Sequence, residues 1–591
     1  MWNISSFSST AVLILSFIIA FYFLKNDDSK KSVKPISVLL IGTFLSGVLL
    51  FMPHYFNSPA TVLSVIEAIL VSVHDSVQLF ILGNNYNIVT DALGQMQGLG
   101  LNIYRITGAI LFILAPILTT GFVLIMFESV SSYIKYCRYY FSDEYVFSCL
   151  NARSVALAES IRHKDQKALL IFADSSKNVS NELKTSVQSL KAIYFRKELS
   201  SLNLNFHSTK KDLLFFLLNN DESENLDLAL KVADKYADRD KTHIYVMSSE
   251  TEGELLLSSV NNNKVKLRRI NEVRSLINHF LYYEGHRLFK TALPDKDGKK
   301  KINVVIVGLG NYGTEMLKAL AWYGQMDGYE IRIDAFDKDE SAEDKFAMLC
   351  PELTDPAING KIIEGESRYT IKIHSGIDVE TKQFFDELKT LPKTTYALVA
   401  LGSEDLNIQN SVNLRVLFER LGSKPILQSI VSDPQKNTSL KNLRNSHDQD
   451  YNIEFIGNLK TSFSADVIMN SELERDALSR HLKWGDEDSF WKYEYNYRSS
   501  VASAIHRKAR IACKIPGADK SEVDLTQQES NVLETLEHQR WNAYMRSEGY
   551  VYSGNPDKSS RNDLGKMHHN LLPFSALTEE DKIKDIKIAS K

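Results

Sequence analysis

VVIVGLGNYGTEML, residues 304–317, decides how the second half of this chain folds. The apolar run Ile302 to Val307 predicts a buried strand, and Thr314 to Tyr323 predicts the helix that follows. Between them, Gly308 permits a tight turn, Gly310 lets backbone approach a pyrophosphate, and Gly313 lets helix and strand pack closely. Asn311 opens the first helical turn, whose free N–H groups suit an anion.

Downstream residues complete the pattern. A second strand, Ile331–Phe336, ends at Asp337, where an acid accepts hydrogen bonds from ribose hydroxyls and repels a 2′-phosphate. Lys338 follows it. A later strand, Tyr396–Leu401, leaves Gly402 and Ser403 at the carboxyl edge of the sheet, where ligands bind in such folds. Residues 302–470 therefore read as a Rossmann-like α/β domain. Its expected cofactor is NAD or another adenine nucleotide, held by Gly308, Gly310, Asn311, Gly313, Asp337, Lys338, Gly402 and Ser403. A fold retained without its ligand is the alternative.

Residues 143–285 read as a degenerate copy of that domain. EYVFSCLNARSVALAESI predicts a strand running into a helix, and Ala168–Ala173, Leu213–Leu218 and His243–Met247 predict further strands. Cys149, Asn151 and Ser154 stand where glycines would admit a phosphate, although Asp174 ends the second strand as a ribose-binding acid would. The charged stretch 286–301, with its Pro and Gly, reads as a linker.

The N-terminal 130 residues are a different material. Spans are expected at about 7–24, 36–52 and 106–127, each long enough for a hydrocarbon core roughly 30 Å thick. The first lacks a basic n-region and a clear cleavage site, so it reads as a retained anchor rather than a signal peptide. Four lysines in KNDDSKKSVK, with Lys135 and Arg138 after the last span, put both of those regions on the cytoplasmic side. Residues 53–105 then make no net crossing, and 61–82 is re-entrant, interfacial or an external amphipathic helix. Its Glu67, His74 and Asp75 are costly in hydrocarbon and are candidate pore-lining groups; a polar face toward headgroups or other helices is the alternative. No TVGYG-like filter follows, only ILGNNYNIV and GQMQGLGLN.

Several function classes are disfavoured. A net charge of −4 from 69 basic and 73 acidic residues gives no overall basic field for nucleic acid. The four cysteines are scattered without a CxxC pair, which suits a reducing cytosol and no disulfide framework. HExxH, GxSxG and GxxxxGK[ST] are all missing, so no catalytic residue is expected. Adjacent His568 and His569 should point apart and hold no metal.

At the C-terminus, 488–591, Glu534–Glu548 has helical spacing, GYVYSG at 549–554 reads as a strand or turn, and Ser575 or Thr578 caps a last helix. Trp541, Tyr544, Tyr550 and Tyr552 are candidates to stack on a base, with Arg540, Arg546 and Arg561 for phosphates. The alternative is that the aromatic residues are simply the core of a small domain.

Two resemblances follow from these residues. A membrane segment before tandem Rossmann units, specific around VVIVGLGNYGTEML, resembles the RCK (TrkA-N) domains of potassium channels and transporters, over residues 143 to about 470. LEHQRWNAYMRSEGYVYSG and RNDLGKMHHNLLPFSALTEEDK resemble the ryanodine-receptor-type Ry domain, with Tyr550 where tryptophan is common; YRSSVASAIHRKAR, 497–510, resembles its bacterial lead-in. The expected fold class is thus multidomain: a helical transmembrane region, two RCK-type α/β domains and a small mainly α Ry-like domain. The resemblance implies a multi-pass protein of the bacterial cell membrane with residues after about 130 in the cytoplasm. It implies a ligand-gated membrane effector, an ion channel or pore-former, assembled as a homo-oligomer, tetramer or dimer-based ring, whose RCK-like and Ry-like domains sense a nucleotide-type signal, of the kind associated with antiviral defence. A tethered sensor that recruits partners without conducting ions, and an NAD-dependent enzyme, are the other readings.

Overall fold

The computed structural model describes residues 1–26, 33–56, 61–83, 86–91, 94–137, 142–176, 179–204, 210–249, 264–296, 298–354, 368–440, 443–444, 446 and on to 590. Most of the lysine-rich loop, Arg138, and Asn84 and Asn85 of ILGNNYNIV lie outside the described residues. The chain divides into two compact units: 1–140 with the short segments 174–180 and 193–197, and the remainder.

The first unit is built on four helices, Trp2–Asn26, Val33–Phe51, Val62–Phe80 and Leu99–Cys137. All four are long and apolar enough to cross a membrane, so the sequence count of three spans omitted Val62–Phe80 on this measure. Small and hydroxylated residues bring the helices close, as expected where a hydrophobic drive between helices is weak. Ser9 Oγ meets the Ser46 hydroxyl at 2.8 Å, Thr10 Oγ1 meets Thr107 Oγ1 at 2.7 Å, and a side chain at Gly42 would collide with Ser16.

These contacts fix helix directions. The first and last helices run parallel, since Asn3 abuts Gly100 while Thr10 abuts Thr107. The second runs antiparallel to the first, since Ser5 bonds Leu49 and Ser9 bonds Ser46. The end of the second helix and the start of the last therefore share one end of the bundle. There His54 Nε2 lies 2.9 Å from the Tyr104 hydroxyl, and Trp2 packs edge-on against His54.

After the helices, the chain forms two parallel sheets of one topology, all strands but β3 belonging to the second unit. The first sheet comprises β1 (Glu144–Phe147), β2 (Leu169–Ala173), β3 (Ile193–Phe195), β4 (Leu213–Leu217), β5 (Thr242–Met247) and β6 (Val265–Ile270), in the order β3-β2-β1-β4-β5-β6. The second holds β8 (Lys300–Val307), β9 (Tyr329–Phe336), β10 (Tyr369–His374), β11 (Tyr396–Val399), β12 (Ile426–Ile430) and β13 (Ile453–Ile456), ordered β10-β9-β8-β11-β12-β13; β7 (Leu293–Pro294) pairs antiparallel with the start of β8. Near-continuous burial of LLIFA, LLFFL and YALV is what a sheet covered on both faces requires. In each order the chain reverses between the first and fourth strands of its sheet, and this switch point is where open α/β sheets bind ligands.

Two boundaries differ from the sequence reading. Residues 286–294 are not a linker: His286–Lys290 is helical, and Leu288 and Phe289 are buried in the second domain's core. The C-terminal segment has no core of its own either. One hydrophobic cluster runs from Ile277 through Leu317 and Trp322 to Leu536, Tyr544 and Leu571, so helix Gln527–Ser547 completes the second α/β domain. A two-stranded sheet, β14 (Val551–Tyr552) with β15 (Met567–His568), follows that helix, and Thr578 caps the last helix, Glu579–Ala589.

Candidate functional site

The glycine turn lies where β8 ends, beside the end of β11. Gly308 has φ +92°, a left-handed conformation that favours glycine, and a Cβ there would sit 2.5 Å from the Ala400 carbonyl oxygen. At Gly313 a Cβ would be 1.8 Å from the Gly308 carbonyl oxygen, so this glycine serves helix–strand contact. Gly310 differs: its added Cβ would meet nothing within 4 Å, and it faces open space in the cleft.

Helix Asn311–Tyr323 starts at Gly310, and no side chain caps it. Its first N–H groups are oriented for an anion, with the helix dipole adding to the attraction. The equivalent helix of the first sheet, Ala152–Lys164, is closed. Asn151 Oδ1 accepts from Ser154 N–H at 2.9 Å, and its Nδ2 donates to Leu218 O at 2.8 Å. A protein amide already occupies that position, which gives the degeneracy of the first domain a physical cause.

A cleft of about 460 Å³ opens at this turn, within the range that holds a cofactor-sized ligand. Gly308, Gly310, Asn311, Asp337, Lys338 and Gly402 line it together. Gly313 and Ser403 stand behind it. Ser403 caps helix Glu404–Arg420, and its hydroxyl accepts from Leu406 N–H at 3.3 Å. Asp337 does more than await a ribose: its carboxylate accepts Leu309 N–H at 2.7 Å and Asp339 N–H at 2.9 Å. Each carboxylate oxygen retains a lone pair toward the cleft.

Sequence reading missed three polar contributors, Asp378, Glu380 and Asn410. They come from segments with no motif, brought in by the third and fourth strands of the sheet. Asn410 is the most telling, because its buried Oδ1 has no hydrogen-bond partner while its Nδ2 donates to Leu406 O at 3.0 Å. The residues fit a dinucleotide of the NAD type in two respects, an open N–H turn and an acid at the end of the second strand. Acidic groups outnumber Lys338 in the cleft, which disfavours a 2′-phosphate.

A buried acid–histidine pair lies close by. His374 Nε2 is 3.0 Å from Asp334 Oδ1, and the ring stacks on Phe336 at 4.3 Å. Neither residue lines the cleft, whereas Phe336 does.

The C-terminal candidates separate. Arg540, Tyr544 and Arg546 are buried and are not available to a ligand on the surface. Arg540 pairs with buried Glu537 at 2.8 Å, Tyr544 packs on Trp322, and Arg546 pairs with Glu352 at 3.3 Å. Four- and three-residue helical spacing could not tell an inward arginine from an outward one. Trp541 and Tyr550 keep half-buried faces, and Arg561 is exposed beside Asp563. Tyr552 is tied through its backbone N–H to Glu352. His568 and His569 do not point apart: their rings stack at 4.7 Å. Burial pushes the His568 imidazole down to about 3, so it is neutral at pH 7.

The membrane-unit candidates also divide. Glu67 and His74 are exposed on the outer face of Val62–Phe80, whereas Asp75 is buried and takes the Tyr55 hydroxyl.

No protein-family model matches the chain, and no curated protein matches it. Among solved structures it is similar to one of the dipicolinate synthase subunits of Bacillus halodurans, at 9% identity and a TM-score of 0.21, over 56% of this chain and 97% of that one. So low a score carries no argument about function.

Proposed function

We propose that this protein is a ligand-gated membrane effector, an ion channel or pore-former controlled by a nucleotide bound at the Gly308–Asp337 cleft. The observation that carries the pore is the placing of Val62–Phe80 and Asn87–Asp91 between the second and last helices, whose adjoining ends share one end of the bundle.

Of these, Val62–Phe80 points its C-terminal end into the bundle. Gly47 abuts Ser76 and Leu79, and the Tyr86 ring packs on Phe112 at 5.1 Å. Phe112 is about 20 Å down the last helix at 1.5 Å per residue. Tyr86 thus reaches about two-thirds of the way along a 30 Å core. Helix, inserted turn and return between two spans is an arrangement that lines a path when copies assemble around an axis. Irregular backbone at that depth is tolerated only where protein or water surrounds it. Outward Glu67 and His74 would then face neighbouring copies or the path.

The resemblance to RCK and Ry domains supports the rest of this reading: a homo-oligomeric ring, tetramer or dimer-based, in a cell membrane, responding to a nucleotide-type signal in antiviral defence. The ligand acts through its different affinity for closed and open arrangements. Mass spectrometry of the small molecule retained on purified protein, followed by ion flux in proteoliposomes on adding NAD or ATP, tests it. Flux that rises with nucleotide supports the proposal. Nucleotide binding without flux would leave a tethered sensor, and turnover of NADH would leave an enzyme.

A further inference from the structure

We propose a second ligand site, for the phosphate group of a small soluble anion, in the cavity where both α/β domains and the C-terminal helices meet. It is distinct from the nucleotide cleft and rests on different residues. The cavity holds about 130 Å³, an order of magnitude more than one water needs.

Its walls are rich in charged groups. Six arginines and lysines line it with three glutamates, and Glu474 pairs with Arg268 from behind. Arg274 comes from the first α/β domain, Lys318 from the helix after the glycine turn, and Arg498 from helix Glu494–Ala512. The glutamates are shared among them. Glu315 takes Arg274 at 3.0 Å and Lys318 at 2.9 Å, while Glu548 takes Arg498 and approaches Arg274 at 3.8 Å. Burial alone would raise the Glu315 carboxyl, yet Arg274 and Lys318 hold it down to about 2. Each of these cations has a carboxylate partner, and the close grouping of guanidinium and ammonium groups is what an entering anion would share.

Two of the lining residues carry a buried polar atom without a hydrogen-bond partner. Arg268 is almost wholly buried, and its Nη2 has no partner. Its Nε bonds Glu474 at 3.0 Å, Nη1 bonds Leu267 O at 3.0 Å, and its plane lies on Trp491 at 3.6 Å. Those contacts satisfy the plane and two edges, and leave the third edge for an acceptor. Asn470 is also buried, its Oδ1 is unpartnered, and its backbone is left-handed at φ +36°. Such strain at a cavity wall is the kind that persists for a binding role. An acceptor anion for the arginines and a donor for Asn470 describe a partly protonated phosphate.

The site bears on the cleft because one helix serves both. Asn311 at the start of Asn311–Tyr323 lines the cleft, and Glu315 and Lys318 line the junction. An anion bridging Arg274, Lys318 and Arg498 would tie that helix to the first domain and to the C-terminal helices.

Titration of full-length, detergent-purified protein with inorganic pyrophosphate, by calorimetry and by thermal shift, tests the proposal. Wild type and Gly310→Val should bind alike, because the cleft variant leaves the junction intact. Arg274→Gln and Lys318→Met should each lose about tenfold or more in affinity, as expected for a charged hydrogen bond. Asn470→Gly relieves the left-handed backbone, so it should fold at least as well as wild type and still bind several-fold more weakly. If Arg274→Gln fails to fold, the other two variants decide. Absence of pyrophosphate binding, or binding lost in Gly310→Val and unchanged in Lys318→Met, overturns the proposal.

Discussion

The backbone N–H of Leu309 donates to the Asp337 carboxylate at 2.7 Å, so the acid that ends β9 also holds the glycine turn in place. One side chain thereby positions the N–H groups of the turn and lines the cleft. Asp337→Ala should weaken nucleotide binding by about 1.5–3 kcal/mol, the range for a charge-assisted hydrogen bond. Calorimetry with NAD and with its 2′-phosphorylated form checks this. The variant should also lose discrimination between the two.

Glycines in the same turn should behave oppositely. Gly310 has φ −68° and room for a Cβ, so Gly310→Val should keep thermal stability and abolish nucleotide binding by filling the approach to the pyrophosphate. Gly313→Ala forces an atom to 1.8 Å from the Gly308 carbonyl oxygen and should cost about 1–3 kcal/mol of stability. Thermal unfolding measured beside nucleotide affinity separates the two effects. Equal behaviour of both variants would contradict the geometry.

Arg546→Glu should destabilise the protein rather than tune its ligand sensitivity. It would put a second carboxylate against Glu352, which already accepts Tyr552 N–H at 2.9 Å in a buried place. Breaking a buried pair of this kind costs about 3–5 kcal/mol. Denaturant unfolding of Arg546→Met and Arg546→Glu should show a loss in both, larger for the glutamate.

Both α/β domains were legible because buried parallel strands such as YALV and LLFFL read as continuous apolar runs. The glycine turn was legible where the backbone requires glycine, at Gly308 and Gly313. Edge strands were not: YTIKIH of β10 alternates polar and apolar residues, and IEFI of β13 is too short to stand out. Asn410 and Glu380 carry no local signal, since only the sheet order brings them to the cleft. The inward turn of Arg540 and Arg546 depends on Glu537 and Glu352, one of them far away in sequence. No spacing rule contains that information.

Acid should loosen the junction. Glu315, held down to about 2, contributes stability in full above the ordinary glutamate value of 4.5. Because its folded value is depressed, that contribution falls as pH drops from about 4.5 toward 2, as the unfolded chain takes up its proton first. Stability of the full chain followed by tryptophan fluorescence should fall through this window. Glu315→Gln should have lower stability at neutral pH and a flatter profile; an unchanged slope would mean that Arg274 and Lys318 find other partners.

Residues 56–98 should begin and end on the outer side of the membrane, although Val62–Phe80 is itself long enough to cross. Two independent features lead there. Lysines after the first span and basic residues after the last favour the cytoplasmic side for both, which the positive-inside tendency makes decisive for the flanking helices. The contacts of His54 with Trp2 and Tyr104 bring the end of the second helix to the start of the last. Thr61→Cys and Gln97→Cys, both at exposed positions, should therefore react with a membrane-impermeant thiol reagent added outside intact cells. On the same topology, Cys149 should react only after permeabilisation. Labelling of Thr61→Cys from one side and Gln97→Cys from the other would make Val62–Phe80 a fourth span and remove the inserted segment on which the pore depends.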